Sequence, residues 1–431
     1  MNFPLPNTSL RFGLLFFASV LAILLTYFGF RNARAAHYQE LDTRAGYERA
    51  VQLEPGDSRN WYLLGRSYLY DLEQPDTERA IDSLRRAVTL DPYSAEALLD
   101  LANAYDGEGD TKKAGETFLA ANRVYPLSAD VCWSYGNFLL RQGQHAEAFR
   151  EIRKAVELEP RRASEAFSVA MRVQPDANAL LDQAVPANAA VYLPILHSLS
   201  AGGDLDTARL VWDRLVGLNQ KVPLGDMVPF FDELIHQRRA TEAAQLWQQA
   251  VSIMQNPPPA DPEGSLIWDG GFESGYAGGG FAWHFVPATR DVQISIDRAE
   301  KHSGERSLRI LFNGRQNLNF EDACHAIIPA PNQRYLLSAW IRTQQLTSSE
   351  GVRLQIFVFT PTANQSVTTE EVHGTQEWKQ IQLEWTAPEG ASFGSVCVKR
   401  NMSDQHGANI GGAAWIDDVA LVPVSEASSK P

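Results

Sequence analysis

Four short segments of this chain end in the same way. They are AVQLEP (50–55), AVTLDP (87–92), ANRVYP (121–126) and AVELEP (155–160). The prolines that close them, Pro55, Pro92, Pro126 and Pro160, stand 37, 34 and 34 residues apart. A recurring period of this size constrains a chain more than any local propensity. Each unit is too short to bury its own apolar face and must stack on its neighbours. The 37 is the same period with three residues inserted around Leu72–Asp76. Each terminal proline stops the helix before it, since it has no N–H to donate and fixes φ.

The interior of each unit agrees. Trp61, Leu64, Gly65 and Tyr68 form W-x2-L-G-x2-Y, followed in the next units by Leu98, Leu101, Ala102 and Tyr105, then by Cys132, Tyr135, Gly136 and Leu139. A second helix repeats as Ala80-Leu84-Ala87, Ala114-Phe118-Ala121 and Ala148-Ile152-Ala155. Small residues let paired helices approach, and large ones at helical spacing fill the space between pairs. Residues 37–160 resemble the tetratricopeptide repeat family, which implies a helical solenoid with a groove for a protein or peptide partner. Arg66, Arg85, Arg86, Lys112, Lys113 and Arg141 are candidates to line it. Beyond Pro160 the spacing persists more weakly in Ala208-Trp212-Leu215 and Ala243-Trp247-Ala250, so 161–255 reads as degenerate helical repeats.

Ahead of the repeats, residues 12–30 carry no charge and lie between Arg11 and Arg31. Nineteen helical residues reach about 28 Å, close to the apolar thickness of a bilayer. This predicts an uncleaved signal anchor with residues 1–11 as a cytoplasmic tail. Ala33-Arg34-Ala35 is a competing A-x-A cleavage site, but the apolar run exceeds an ordinary signal-peptide core of about 7–15 residues. The flanking charges, Arg11 before and Arg31 and Arg34 after, weakly favour a cytoplasmic C-terminal part. The distal module described next argues for the opposite side.

Residues 256–263 form a proline-rich linker, after which short alternating runs predict strands of a sandwich. In Tyr335–Arg342, one face holds Tyr335, Leu337, Ala339 and Ile341, the other Leu336, Ser338, Trp340 and Arg342. In 353–359, Arg353, Gln355, Phe357 and Phe359 lie opposite Leu354, Ile356 and Val358. WDGGFESG (268–275), HSGERSLRI (302–310), YLLSAWIRT (335–343), WKQIQLEWTAP (378–388) and AAWIDDVALV (413–422) occur in this order. Over 264–424 they resemble carbohydrate-binding modules of families 4, 9 and 22. That resemblance implies a jelly roll, polysaccharide binding and a structural calcium at Glu273 and Asp418, with Asp417 beside them. The face not used for the core offers Trp340, Arg342, Gln355, Phe357 and Lys399 to a glycan. The glycine-rich loop Tyr276–His284 adds Trp283. The residues after 424 are expected to be disordered.

The whole is thus read as a multidomain chain: transmembrane helix, all-α solenoid, all-β jelly roll. The apolar span together with the resemblance of the distal module implies an inner-membrane protein with its bulk periplasmic or extracellular. The net charge of −14 repels a phosphate backbone and argues against nucleic acid. No GxSxG, HExxH or phosphate-cradling GxxxxGK[ST] occurs, and Glu370-Glu371 and Asp417-Asp418 are sequence neighbours that a strand points to opposite faces. A non-catalytic binding or scaffold protein is therefore expected, and a purely protein-binding scaffold is the alternative. Cys324 and Cys397 share the last domain. An oxidising compartment would allow them to pair, and two small buried side chains are the equal alternative.

Overall fold

A computed structural model describes residues 8–275, 278–404 and 408–424. The chain divides into two compact units, 1–186 and 187–431. The division falls before the proline run at 256–263, because the last four helices of the array belong with the sandwich.

In the first unit, α1 (Thr8–Glu40) runs unbroken from the apolar stretch into the repeats. Among the described residues it is the one helix long and apolar enough to cross a membrane. Its C-terminal part packs on α2 (Arg44–Leu53), burying Ala35, and Arg31 makes a bidentate pair with Glu54 at 2.6 and 3.0 Å. Helix pairs follow: α3 (Ser58–Leu69) with α4 (Thr77–Leu90), α5 (Ala95–Glu108) with α6 (Thr111–Val124), α7 (Ala129–Arg141) with α8 (His145–Leu158). Asp57, Asp76, Ser94, Asp110 and Ser128 start five of these helices, each side chain accepting an N–H of the first turn. These caps satisfy donors that would otherwise lack partners. Then α9 (Ala163–Val173) and α10 (Ala177–Gln183) close the unit.

Close approach sets the pairing. A Cβ on Gly65 would lie 2.6 Å from Leu84 Cγ, and one on Gly136 would lie 2.8 Å from Ile152 Cγ1. Leu84, Phe118 and Ile152 are fully buried at equivalent points of three repeats.

The second unit begins with α11 (Ala189–Ala201), α12 (Leu205–Gly217), α13 (Leu224–His236) and α14 (Ala240–Ile253). Trp247 of α14 meets Trp268 edge-on at 5.5 Å and Phe281 at 5.9 Å, while Asp232 of α13 accepts the Gly280 N–H at 2.6 Å. The proline run is fastened rather than free. The Asp261 carboxylate takes the N–H groups of Asp269 and Gly270 at 2.7 and 2.8 Å.

Two five-stranded antiparallel sheets form the sandwich. The first holds, in order, β2 (Val292–Asp297), β3 (Ser307–Asn313), β10 (Gly411–Pro423), β5 (Arg334–Leu346) and β8 (Gly374–Thr386). The second holds β1 (His284–Phe285), β4 (Phe320–Ile327), β9 (Phe393–Arg400), β6 (Arg353–Phe359) and β7 (Gln365–Thr368). Leu337, Ala339, Ile341, Leu354, Ile356 and Val398 fill the space between them, as the two-residue alternation requires. The first glycine of WDGGFESG has a physical reason. A Cβ on Gly270 would sit 1.9 Å from the Val419 carbonyl, so this turn closes on β10 only without a side chain.

His325 lies wholly inside, its Nε2 accepting the Trp268 N–H at 3.0 Å and its ring edge-on to Trp283. Burial pushes its pKa down to about 4. The folded value lies below the unfolded 6.5, so its contribution is complete above about pH 6.5 and is lost as pH falls towards 4.

Three outcomes follow from this packing. Gly136→Leu is expected to overpack the helix pair and cost about 1–3 kcal/mol. Gly107→Ala, with open space at its Cβ, should gain about 0.5–1 kcal/mol; thermal melts followed at 222 nm read both. Lowering pH from 7 to 4.5 should narrow the stability gap between the wild type and His325→Gln by about 2–3 kcal/mol. Urea unfolding followed by tryptophan emission measures it, and an unchanged gap would rule out a buried neutral imidazole.

Candidate functional site

Strand alternation aims Gln355 and Phe357 of β6 and Lys399 of β9 away from the core, onto the outer face of the second sheet. Lys399 Nζ donates to Gln355 Oε1 at 2.8 Å and to Glu321 Oε2 of β4 at 2.9 Å. The Gln355 amide nitrogen donates in turn to Ser366 Oγ on β7. Beside this polar row, Phe357 meets Phe359 edge-on at 5.0 Å, and Phe359 stacks on Phe393 at 6.1 Å. Phe359 is 46% exposed. The Cys324–Cys397 disulfide joins β4 to β9 on the same face, with Gln355 opposite Cys397 in the ladder. Apolar rings adjoin acceptors and donors held at fixed separations. That combination suits a ligand with apolar faces and many hydroxyls.

The other residues read from the sequence lie elsewhere. Trp340 and Arg342 belong to β5 and project from the outer face of the opposite sheet, so the five residues do not share one surface. Period-2 alternation separates core from non-core and is blind to which sheet a strand joins. Trp340 stacks on the His302 ring at 3.9 Å, and His302 Nδ1 lies 2.6 Å from Asp418 Oδ2. Arg342 pairs with Glu300 and, at 3.4 Å, with Glu377. Its guanidinium stands 5.5 Å over Trp415, with Arg309 at 5.7 Å. This face is occupied by its own side chains.

Trp283 is a correction. It is 1% exposed and packs on Phe272 and His325 within the core, so it cannot meet a glycan. The glycine-rich loop folds back, Gly278 N–H donating to the Trp283 carbonyl at 3.1 Å. Tyr276 of that loop lies outside the described residues, as does the tail after 424. Glu321, Ser366 and Phe393 were not singled out by the sequence, because strand pairing alone brings them to Lys399, Gln355 and Phe359. Phe359 could be found by its alternation with Phe357.

Glu273 and Asp418 do meet one loop. Glu273 Oε1 accepts the N–H groups of Glu305 and Arg306 at 2.7 and 3.2 Å. Asp418 Oδ1 accepts the Ser303 hydroxyl at 2.6 Å. Asp417 Oδ2 takes the N–H groups of His302 and Ser303 at 2.8 and 3.1 Å, and burial pushes this carboxyl up to about 6. Oxygen donors suit calcium, but here they are spent on N–H and O–H groups. Among the described residues no three such side chains are grouped to hold an ion.

In the repeats, Arg66 of α3 pairs with the buried Asp100 of α5 at 3.3 Å, and Tyr70 donates to Asp100 at 2.7 Å. Burial, then the Asp100 charge, pushes the Tyr62 phenol up to about 12. Arg141 of α7 reaches Asp106 of α5 at 2.5 Å. Arg85 and Lys113 instead pair three residues back with Asp82 and Asp110, and Arg86 and Lys112 are exposed. Of the six basic candidates, Arg66 and Arg141 therefore bridge successive first helices. A cleft of about 470 Å³ beside Arg66 is lined by Arg59, Tyr62, Asp91 and Glu96.

Models of the tetratricopeptide repeat match residues 71–131 and 129–162. The type IV pilus assembly protein PilF of Pseudomonas aeruginosa is 34% identical over 100 residues, 23% of this chain and 38% of that protein. The chain thus spans less than half the length of this relative. Similar solved structures include MamA, at 20% identity over 40% of this chain and 85% of that one, TM-score 0.27. A xylan-binding domain of carbohydrate-binding-module family 22 is 17% identical over 38% of this chain and 97% of that one, TM-score 0.29. A family 16 carbohydrate-binding module is 18% identical over 36% and 99%, TM-score 0.26. Residues 71–162 are tetratricopeptide repeats, and the chain carries them ahead of a two-sheet antiparallel β-sandwich.

Proposed function

We propose that this is a membrane-anchored, non-catalytic binding protein. Its repeats recruit a protein partner, and the outer face of its second sheet binds polysaccharide at the cell envelope. One observation carries the sugar assignment: the Phe357–Phe359–Phe393 cluster beside the Glu321–Lys399–Gln355–Ser366 row. Aromatic faces match the C–H faces of sugar rings, and the row supplies directional partners for hydroxyls. The polar row also balances Lys399 against Glu321, so the face suits a neutral chain better than a strongly charged one. The protein partner would lie along the first helices of the repeats, where Arg59, Tyr62 and Arg66 adjoin Asp91 and Glu96.

Two features support an anchor with the bulk outside the cytoplasm. Cleavage after Ala35 would cut α1 where it packs on α2 and would remove the Arg31–Glu54 pair. The Cys324–Cys397 disulfide belongs to an oxidising compartment, against the weak pull of Arg31 and Arg34. The alternative, a protein-only scaffold, draws support from the covering of Trp340 by His302.

Affinity electrophoresis of the full chain on soluble polysaccharides tests the reading. At least one glycan should retard the wild type, and Phe357→Ala or Lys399→Met should reduce retardation about tenfold or more without lowering Tm. If no plant or bacterial polysaccharide retards it, the protein-only scaffold stands. When whole cells are quenched in acid and the protein is denatured, a maleimide-polyethylene glycol reagent should modify Cys324 and Cys397 only after reduction. Modification without reductant would place the sandwich in a reducing compartment.

A further inference from the structure

A cleft of about 560 Å³ opens within the second unit, between α14 and the 258–268 segment. This volume lies in the range of small-molecule sites. Trp247, Trp268 and Phe281 give it an aromatic wall, with Gln248, Asp261 and Glu263 at its polar side. It is separate from the sheet face described above and shares no residue with it.

Three observations define what it takes. Trp247 is 2% exposed, and its indole N–H finds no acceptor in the protein. That nitrogen is itself shielded, so Trp247 lines the cleft as an apolar ring and offers it no donor. Trp268 is half-buried, turned edge-on to Trp247 at 5.5 Å, and so presents part of its surface to the cleft. The lining also contains the carboxylates of Asp261 and Glu263 and no Lys, Arg or His among the described residues. An anionic ligand would meet uncompensated negative charge. Asp261 is already engaged by two N–H groups, which leaves Glu263 and the Gln248 amide as the adaptable acceptors.

We propose that this cleft is a second binding site, for a neutral saccharide. Sugar hydroxyls both donate, to Glu263 and the Gln248 carbonyl oxygen, and accept, from the Gln248 amide N–H. Their ring C–H faces suit the indole of Trp268. A polyproline-type peptide would use the aromatic wall, but it offers few donors to the carboxylate side. The saccharide therefore fits the whole lining better.

The test uses the full chain in detergent, carrying Phe357→Ala and Lys399→Met so that the sheet face is silent. Calorimetry and tryptophan emission are followed with xylohexaose, cellohexaose and maltohexaose, and separately with a decaproline peptide. One hexasaccharide should bind with one site per chain and shift the emission. Trp268→Ala, and Gln248→Trp, which adds bulk at an exposed position, should each weaken it about tenfold or more. Gln248→Trp decides if Trp268→Ala fails to fold. The proposal is overturned if none of the three hexasaccharides binds, if Gln248→Trp leaves binding unchanged, or if decaproline alone binds. Loss of polysaccharide retardation in the Phe357 and Lys399 variants, with this binding intact, would separate the two sites.

Discussion

Everything in the first unit hangs on how closely two helices can approach. Gly65 and Gly136 let the backbone of one helix settle onto Leu84 and Ile152 of the next, and Ala102 occupies the equivalent place between them. A side chain there would push the pair apart and expose residues that are fully buried. The same contact, repeated, turns short helices of marginal individual stability into a continuous core. It also fixes which faces remain outside. Arg66, Tyr70 and Asp100 meet because successive first helices are held side by side, and the groove is a consequence of that spacing.

The second unit shows a different economy. Its repeats have lost most of the signature yet keep Trp212 and Trp247 as large buried centres. Trp247 then contacts residues of the sandwich and so serves two cores at once. Asp232 on Gly280 and Asp261 on two loop N–H groups add directional bonds to this apolar contact. A proline-rich stretch that reads as a spacer becomes one wall of a cleft. The physical reason is local. Proline cannot donate to a ladder, yet it packs readily beside aromatic rings while a neighbouring Asp supplies the acceptors.

Much of the architecture was legible. The spacing of Pro92, Pro126 and Pro160 predicted helix pairs, and alternation in 335–342 and 353–359 separated core from surface correctly at each of those strands. The candidate site was only partly legible. Gln355, Phe357 and Lys399 do share a face, whereas Trp340 and Arg342 project from the other sheet. Trp283, an aromatic on a glycine-rich loop, looked like a mobile platform and is core. Its fate depends on Phe272 and His325, which no local pattern brings beside it.

The sequence by itself determined the period, the strand faces, the long apolar helix and the glycines at close contacts, because each is a demand made by neighbours in the chain on one another. Only the tertiary structure decided which strands share a sheet, that Cys324 stands opposite Cys397, and that Lys399 lies between Glu321 and Gln355. It also set Glu273, Asp417 and Asp418 around the 302–306 loop, whose N–H and O–H groups they accept. Those outcomes rest on pairings between residues tens of positions apart, and the order of strands in a sheet is not written in the alternation of any one of them.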